Sequence, residues 1–309
     1  MSAGQVISVI QTALPVLLTL ALGMLCRSRS FLSREGVDTL KKVVVNLTLP
    51  FVLFNAFATA DYSLSAMVQP GIIFVCCTVM LGLGFLLVRV TKTEGRLAPF
   101  LASGFEAGML GFPLFAMLFP KESLSALAIP VLGQELFVFT LYKTLLVGKT
   151  SLKAVLKDIF SNPILIAVLL GLVVGATGLY GKLHTWGVGS VVDAVTGFLS
   201  APTGMIILLC VGYDLVPREI PWKKTGGLVA MRLGIAGVML GALIALNRTV
   251  LRGMMFEGAL ALLFILPPPY IIPVFSDEPD ERVQISSALS VLTLMTMILF
   301  AALSVLFQR

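Results

Sequence analysis

Gly108-Met109-Leu110-Gly111-Phe112-Pro113 and Leu266-Pro267-Pro268-Pro269 decide the fold of this chain, because each interrupts an otherwise long apolar run. Proline removes a backbone donor and crowds the preceding turn, so a helix through either stretch is broken. Pro113 and Pro267 lie 154 residues apart in a chain of 309, about half its length. Breaks at matching places in two halves are the mark of an inverted-repeat transporter, in which unwound backbone at mid-membrane depth lines a cavity.

The surroundings of these stretches agree. Apolar residues make up 58% of the chain and charged residues 12%, and mean hydropathy is +1.01, whereas soluble domains carry about 25% charged residues. The composition is that of an all-helical polytopic membrane protein. The apolar start at 6–25 has no basic stretch before it and no small-residue cleavage site after it, so it reads as a first span of a mature chain. Cys26, Cys76, Cys77 and Cys210 follow no disulfide or metal spacing and read as small core residues. The net charge of +6 sits mostly in loops between apolar runs, which suits lipid head groups and topology rather than nucleic acid. No Walker, zinc, Rossmann or Ser-His-Asp pattern occurs and there is one histidine, so no catalytic residue, cofactor or enzyme activity is expected.

A spanning helix needs roughly 20 mostly apolar residues. Ten segments qualify: 5–25, 43–60, 71–90, 97–119, 125–145, 163–181, 190–213, 226–246, 254–276 and 284–307. Between spans 5 and 6, Lys149, Lys153 and Lys157 recur every four positions against Leu152, Val155, Leu156 and Phe160, which predicts an interfacial amphipathic helix over 149–162. The chain then divides into repeats at 1–148 and 163–309. Loops on one side carry 16 Lys and Arg residues and those on the other side 5, with Arg232 inside span 8. The richer side is cytoplasmic by the positive-inside rule, which puts both termini outside, in a plasma (inner) membrane. Five spans per half make the repeats inverted, with span 4 matching span 9. Pro50 and Pro202 match in the same way in spans 2 and 7.

Three stretches carry a resemblance: Val45-Asn46-Leu47-Thr48-Leu49-Pro50-Phe51, Gly108-Met109-Leu110-Gly111-Phe112-Pro113-Leu114, and Leu199-Ser200-Ala201-Pro202 running on to Val211-Gly212-Tyr213-Asp214-Leu215. With Ser286-Ser287-Ala288-Leu289-Ser290 they resemble the auxin efflux carrier family, which includes bacterial malonate-carrier-like and plant PIN-formed carriers, over nearly the whole chain. The resemblance implies a fold like that of bile acid/sodium symporters, with ten helices and crossing broken helices 4 and 9. It also implies a scaffold of spans 1, 2, 6 and 7, a moving domain of spans 3–5 and 8–10, homodimers through the scaffold, and small organic anions as substrates. The family commonly has an asparagine upstream of the span 4 break. Glu106 stands there in this chain, which argues against a simple uncoupled anion mechanism.

Ionisable groups at mid-membrane are costly and are functional candidates by default. Glu106 lies ten residues beyond Arg96, about 15 Å deep in a helix, and about two turns before Pro113. It is the expected site for the coupling ion, H+ or Na+, with Glu135 of span 5 as a second carboxylate. No firm metal site is assigned. Arg232 is the one basic residue well inside a span, at a depth from which it can snorkel, and the family pattern suggests a counter-charge to a carboxylate. Substrate contacts are expected from the breaks, at Gly108, Gly111, Pro113, Pro267 and Pro268, and from the scaffold, at Asn46, Thr48, Pro50, Asn55 and Thr203. Ser286, Ser290 and Thr293 share a helix face and read as packing, as do the Gly-x-x-x-Gly pairs at 104/108, 171/175 and 237/241. Span 9 has Leu260 and Ala261 at the distance where span 4 has Glu106, so of the two breaks ion coupling is expected to be concentrated on span 4, with span 9 supplying mainly backbone and shape. The function this supports is secondary active transport of small carboxylates by alternating access. An ion channel or membrane sensor of the same fold is the alternative.

Overall fold

The structure, a computed structural model, describes residues 3–147, 161–215, 222–276 and 278–307. The linker helix expected over 149–162 lies, up to residue 160, outside them. Among the described residues there are helices and no strand. The helices are α1 Ala3–Ser28, α2 Arg34–Ala58, α3 Leu64–Thr91, α4 Ala98–Leu118, α5 Ser125–Val147, α6 Pro163–Ala176, α7 Leu179–Thr185, α8 Gly189–Asp214, α9 Trp222–Thr249, α10 Glu257–Ile265 and α11 Pro279–Phe307. Among the described residues seven helices are long and apolar enough to cross a membrane, and α6 with α7, bent by 68°, makes an eighth. The chain is an all-helical polytopic membrane protein.

Several boundaries differ from the apolar runs, each for a local reason. α2 starts at Arg34 and not at 43, because Ser33 accepts a hydrogen bond from Gly36 N at 3.0 Å and caps an amphipathic first stretch. That stretch passes through a π-helical turn, Val44–Thr48, into the apolar half of α2. α6 ends early at Ala176, and Gly178, whose φ of +67° suits glycine, turns the chain into α7. α10 is only nine residues long. Its continuation is stopped by Pro267, Pro268 and Pro269, which lack the N–H groups a helix would need, and the chain resumes as a 3₁₀ turn, Ile272–Phe275.

The break in α4 is not where Pro113 suggested. A 3₁₀ turn over Ala98–Ala102 gives way to extended backbone at Ser103, and helix resumes at Ala107, running without interruption through Pro113 to Leu118. Pro113 is the second residue of the α-helical stretch Phe112–Leu118 and follows the π-helical turn Ala107–Gly111, so its missing N–H falls where the hydrogen-bond spacing changes. The unwound residues are therefore 103–106, and Glu106 lies in the break itself rather than two turns before it.

α6 packs on the Leu49–Ala58 half of α2, α1 packs along the second half of α8, and α3 packs on α5, while α9, α10 and α11 pack together. Small residues permit these approaches. A Cβ at Gly171 would lie 2.7 Å from the Phe54 carbonyl oxygen, and one at Gly175 2.6 Å from that of Phe57, whereas Gly237 and Gly241 have nothing within 4 Å. The 171/175 pair is thus a packing motif and the 237/241 pair is not one within this chain. Gly171→Ala is expected to destabilise by about 1–3 kcal/mol, and Gly237→Ala to leave stability unchanged or slightly raised. Melting of the detergent-solubilised variants checks this, and equal melting points for the two would contradict the packing described.

Candidate functional site

Two breaks meet inside the protein. Gly104 has φ +74°, a conformation other residues rarely adopt, and a Cβ there would stand 2.9 Å from Pro269 Cδ. Span 4 can therefore unwind against the proline run only through a glycine. The backbone N–H of Glu106 donates to the Pro267 carbonyl at 2.8 Å, which ties one break to the other. Unwinding also strips carbonyl groups of helical partners, and an apolar interior supplies no water to replace them.

Arg232, on α9, satisfies three of these carbonyls. Nη1 donates to Ala102 O at 2.9 Å, and Nη2 to Gly104 O at 2.9 Å and Leu266 O at 3.1 Å. The guanidinium also stands 5.0 Å from the centre of the Phe105 ring. Arg232 is 1% exposed, so it does not snorkel. Its partners are backbone carbonyls of both breaks. Among the described residues no carboxylate lies within ion-pair distance of it.

Glu106 faces the other way. Its Oε2 accepts from Tyr270 N at 2.9 Å, just past the proline run, and its Oε1 accepts weakly from Met109 N at 3.4 Å. Gln134 of α5 donates through Nε2 to Phe105 O at 2.9 Å and to Glu135 Oε1 at 3.3 Å, which brings Glu135 to the flank of the same break. The amide oxygen of Gln134 is buried without a partner. Among the described residues no group of three His, Cys, Asp or Glu side chains could hold a metal ion. Of the carbonyls around the breaks, those of Ala102, Gly104 and Leu266 already accept from Arg232.

A cavity of about 510 Å³ opens beside the breaks. Met109 lines it from the helical turn after the span 4 break and Tyr270 from the residues after the proline run, Ser286, Leu289, Ser290 and Thr293 from α11, Cys210, Val211 and Asp214 from α8, and Arg34 and Lys41 from α2. The Tyr270 hydroxyl hydrogen-bonds Thr293 Oγ1 at 2.9 Å. The residues expected to bind substrate lie elsewhere and do not line this cavity. Asn46 is exposed and donates to Lys42 O at 2.8 Å, and Pro50 is half-buried. Thr48 and Thr203 are buried with unpartnered hydroxyls, and Asn55 Oδ1 is likewise unpartnered. Gly111, Pro113, Pro267 and Pro268 are buried, with a Cβ at Gly111 reaching 3.0 Å from Leu266 Cδ1, and Gly108 is half-buried near Leu49. The lining residues had their own signals: the serine and threonine stripe on α11, and two cations on the charged face that opens α2.

No protein-family model matches the chain. A protein of Methanothermobacter thermautotrophicus named an uncharacterized transporter is 26% identical over 215 residues, 66% of this chain and 67% of that relative. The likeness is to a transporter.

The arrangement offers an anion two cations, Arg34 and Lys41, while the hydroxyls of Thr293 and Ser290 on the cavity wall already donate to the Leu289 and Ser286 carbonyls. Behind the hydroxyl end lies a carboxylate whose two oxygens each accept from the backbone of a lining residue. A change in the charge of Glu106 therefore acts on the position of Met109 and Tyr270.

Proposed function

We propose that this chain is a secondary active transporter of small organic carboxylates, of the auxin efflux carrier type, coupled to H+ or Na+ through Glu106. The carrying observation is that the cavity is lined by the two residues, Met109 and Tyr270, whose backbone N–H groups bond the Glu106 carboxylate where the breaks meet. In this reading the chain has ten spans in two inverted repeats. α1, the bent pair of α6 and α7, and α10 with the turn after it complete the set. α1, α2, α6 and α8 form the scaffold and dimer face, and α3–α5 with α9–α11 the domain that moves as an elevator. Contacts between α2 and α6 and between α1 and α8 support that grouping. In the same reading Arg34 and Lys41 mark the cytoplasmic side by charge, the cavity they line is entered from that side, and both termini lie outside a plasma membrane. No nucleotide site is proposed, and the gradient supplies the energy.

The test is uptake into proteoliposomes of a panel of mono- and dicarboxylates, with sodium and pH gradients imposed separately. Saturable, gradient-driven carboxylate flux with counterflow is expected. Non-saturating flux without counterflow would assign the chain to channels instead, and no carboxylate flux under any gradient would remove the substrate class.

A further inference from the structure

We propose that Arg34 and Lys41 form a carboxylate-capture site at the mouth of the cavity, and that Asp214 is its tethered competitor, occupying the site whenever substrate does not. The inference rests on the carboxylate reading above and adds a residue that sets affinity and release on one side of the membrane. Asp214, the last residue of α8, already displays the geometry of a bound carboxylate. Its Oδ1 accepts from Arg34 Nη1 at 2.8 Å and its Oδ2 from Lys41 Nζ at 2.5 Å, one oxygen to each cation. Arg34 and Lys41 are seven residues apart on α2, about two turns, so they share a face. All three residues line the cavity that also holds Tyr270, Ser290 and Thr293.

The other charges nearby have different roles. Asp38 Oδ1 stands 3.8 Å from both Arg34 Nε and Lys41 Nζ, close enough to balance charge but beyond hydrogen-bonding distance. Arg27 is turned to Tyr213, donating to its carbonyl at 3.3 Å with the guanidinium 5.7 Å from its ring centre. Within the cavity, then, the two cations are those Asp214 holds.

The contact is built to be exchanged. The Arg34, Lys41 and Asp214 side chains are 63%, 27% and 32% exposed, and ion pairs reached by water to that extent are weak. A free carboxylate entering the cavity meets the same two donors that Asp214 uses and can displace it by mass action. As the substrate loosens from the two cations, the tethered carboxylate returns to them at high effective concentration and speeds release.

Succinate, acetate and the uncharged dimethyl ester of succinate serve as probes, titrated by calorimetry into the full-length protein in neutral detergent. Asp214→Asn is expected to tighten succinate or acetate binding about tenfold, as removing a competing charged hydrogen-bond acceptor should, and to leave the ester unaffected. Adding Lys41→Gln to Asp214→Asn should abolish that gain. Asp38→Asn removes the same charge without removing a ligand and should change affinity no more than about twofold. Lys41→Gln alone, with Asp214 in place, should weaken binding and covers the case in which Asp214→Asn does not fold. Equal effects of Asp38→Asn and Asp214→Asn would reduce the gain to general electrostatics and overturn the proposal, as would no binding of either anion to Asp214→Asn. Normal carboxylate flux with unchanged affinity in Asp214→Asn would sink the competitor and spare the transporter. Tight anion binding by Asp214→Asn without flux in the native protein would do the reverse.

Discussion

Arg232→Ala is expected to leave little monodisperse protein after solubilisation, with a loss of stability on the order of 3–5 kcal/mol in what remains. The reason lies in the carbonyls more than in the charge. Ala102 ends the 3₁₀ turn at the edge of one break, Gly104 lies in that break and Leu266 opens the other, so no helical N–H can replace the guanidinium. A buried polar group left without its partner costs about 1–3 kcal/mol, and three are left at once, in a space vacated by one of the largest fully buried side chains. Two further substitutions separate the contributions. Arg232→Met fills much of the volume without donors and should melt almost as early as Arg232→Ala. Arg232→Lys keeps the charge, but a point ammonium cannot reproduce a planar fork that serves both breaks, so it should fall between. Thermal melting followed by size-exclusion chromatography reads all three. A methionine variant as stable as the native protein would mean that the breaks hold each other without the guanidinium.

The same residue shows what could be read beforehand. That Arg232 is the one cation deep in a span is plain from the sequence, and its depth marked it for a role. Its partners were not legible, because a carbonyl becomes available only where tertiary structure unwinds a helix. The proline run at 267–269 announced its own break, since proline acts locally. The opposing break was misplaced at Pro113 for the converse reason. Pro113 falls where π-helical spacing changes to α-helical and the helix runs on through it, whereas the unwinding takes place at Gly104, a small residue in an apolar run that has a positive φ and Pro269 of another segment against it. The spans themselves were legible wherever an apolar run was long, and less so for α2, whose first turns are polar and held by Ser33. The cavity was hidden by a similar division of labour. Arg34 and Lys41 counted as topology charges and Ser286, Ser290 and Thr293 as packing, and only the approach of α2, α8 and α11 gives them a common space.

Glu106→Gln tests what that space is coupled to. The carboxylate is an acceptor at both oxygens, one for Tyr270 N at 2.9 Å and one for Met109 N at 3.4 Å. A glutamine can keep its oxygen on Tyr270, the shorter bond, but must then turn an NH₂ donor towards the Met109 N–H. The variant should fold, at a cost of about 1–2 kcal/mol for the poorer contact, with the segment at Met109 fixed in the arrangement it adopts when Glu106 is neutral. On the proposed function it should still exchange carboxylate across the membrane by counterflow. Its ability to accumulate substrate against a gradient should fall by about 5–150-fold, the usual range for coupling between two sites. Dependence of flux on the imposed pH or sodium gradient should vanish with it. Glu106→Asp is the complementary case, because it keeps the charge but is one methylene short of reaching Tyr270 and Met109 together, so gradient dependence should persist with weakened affinity. If Glu106→Gln retains the native gradient dependence, the coupling group is not Glu106, and Glu135, linked to the same break through Gln134, becomes the carboxylate to replace next.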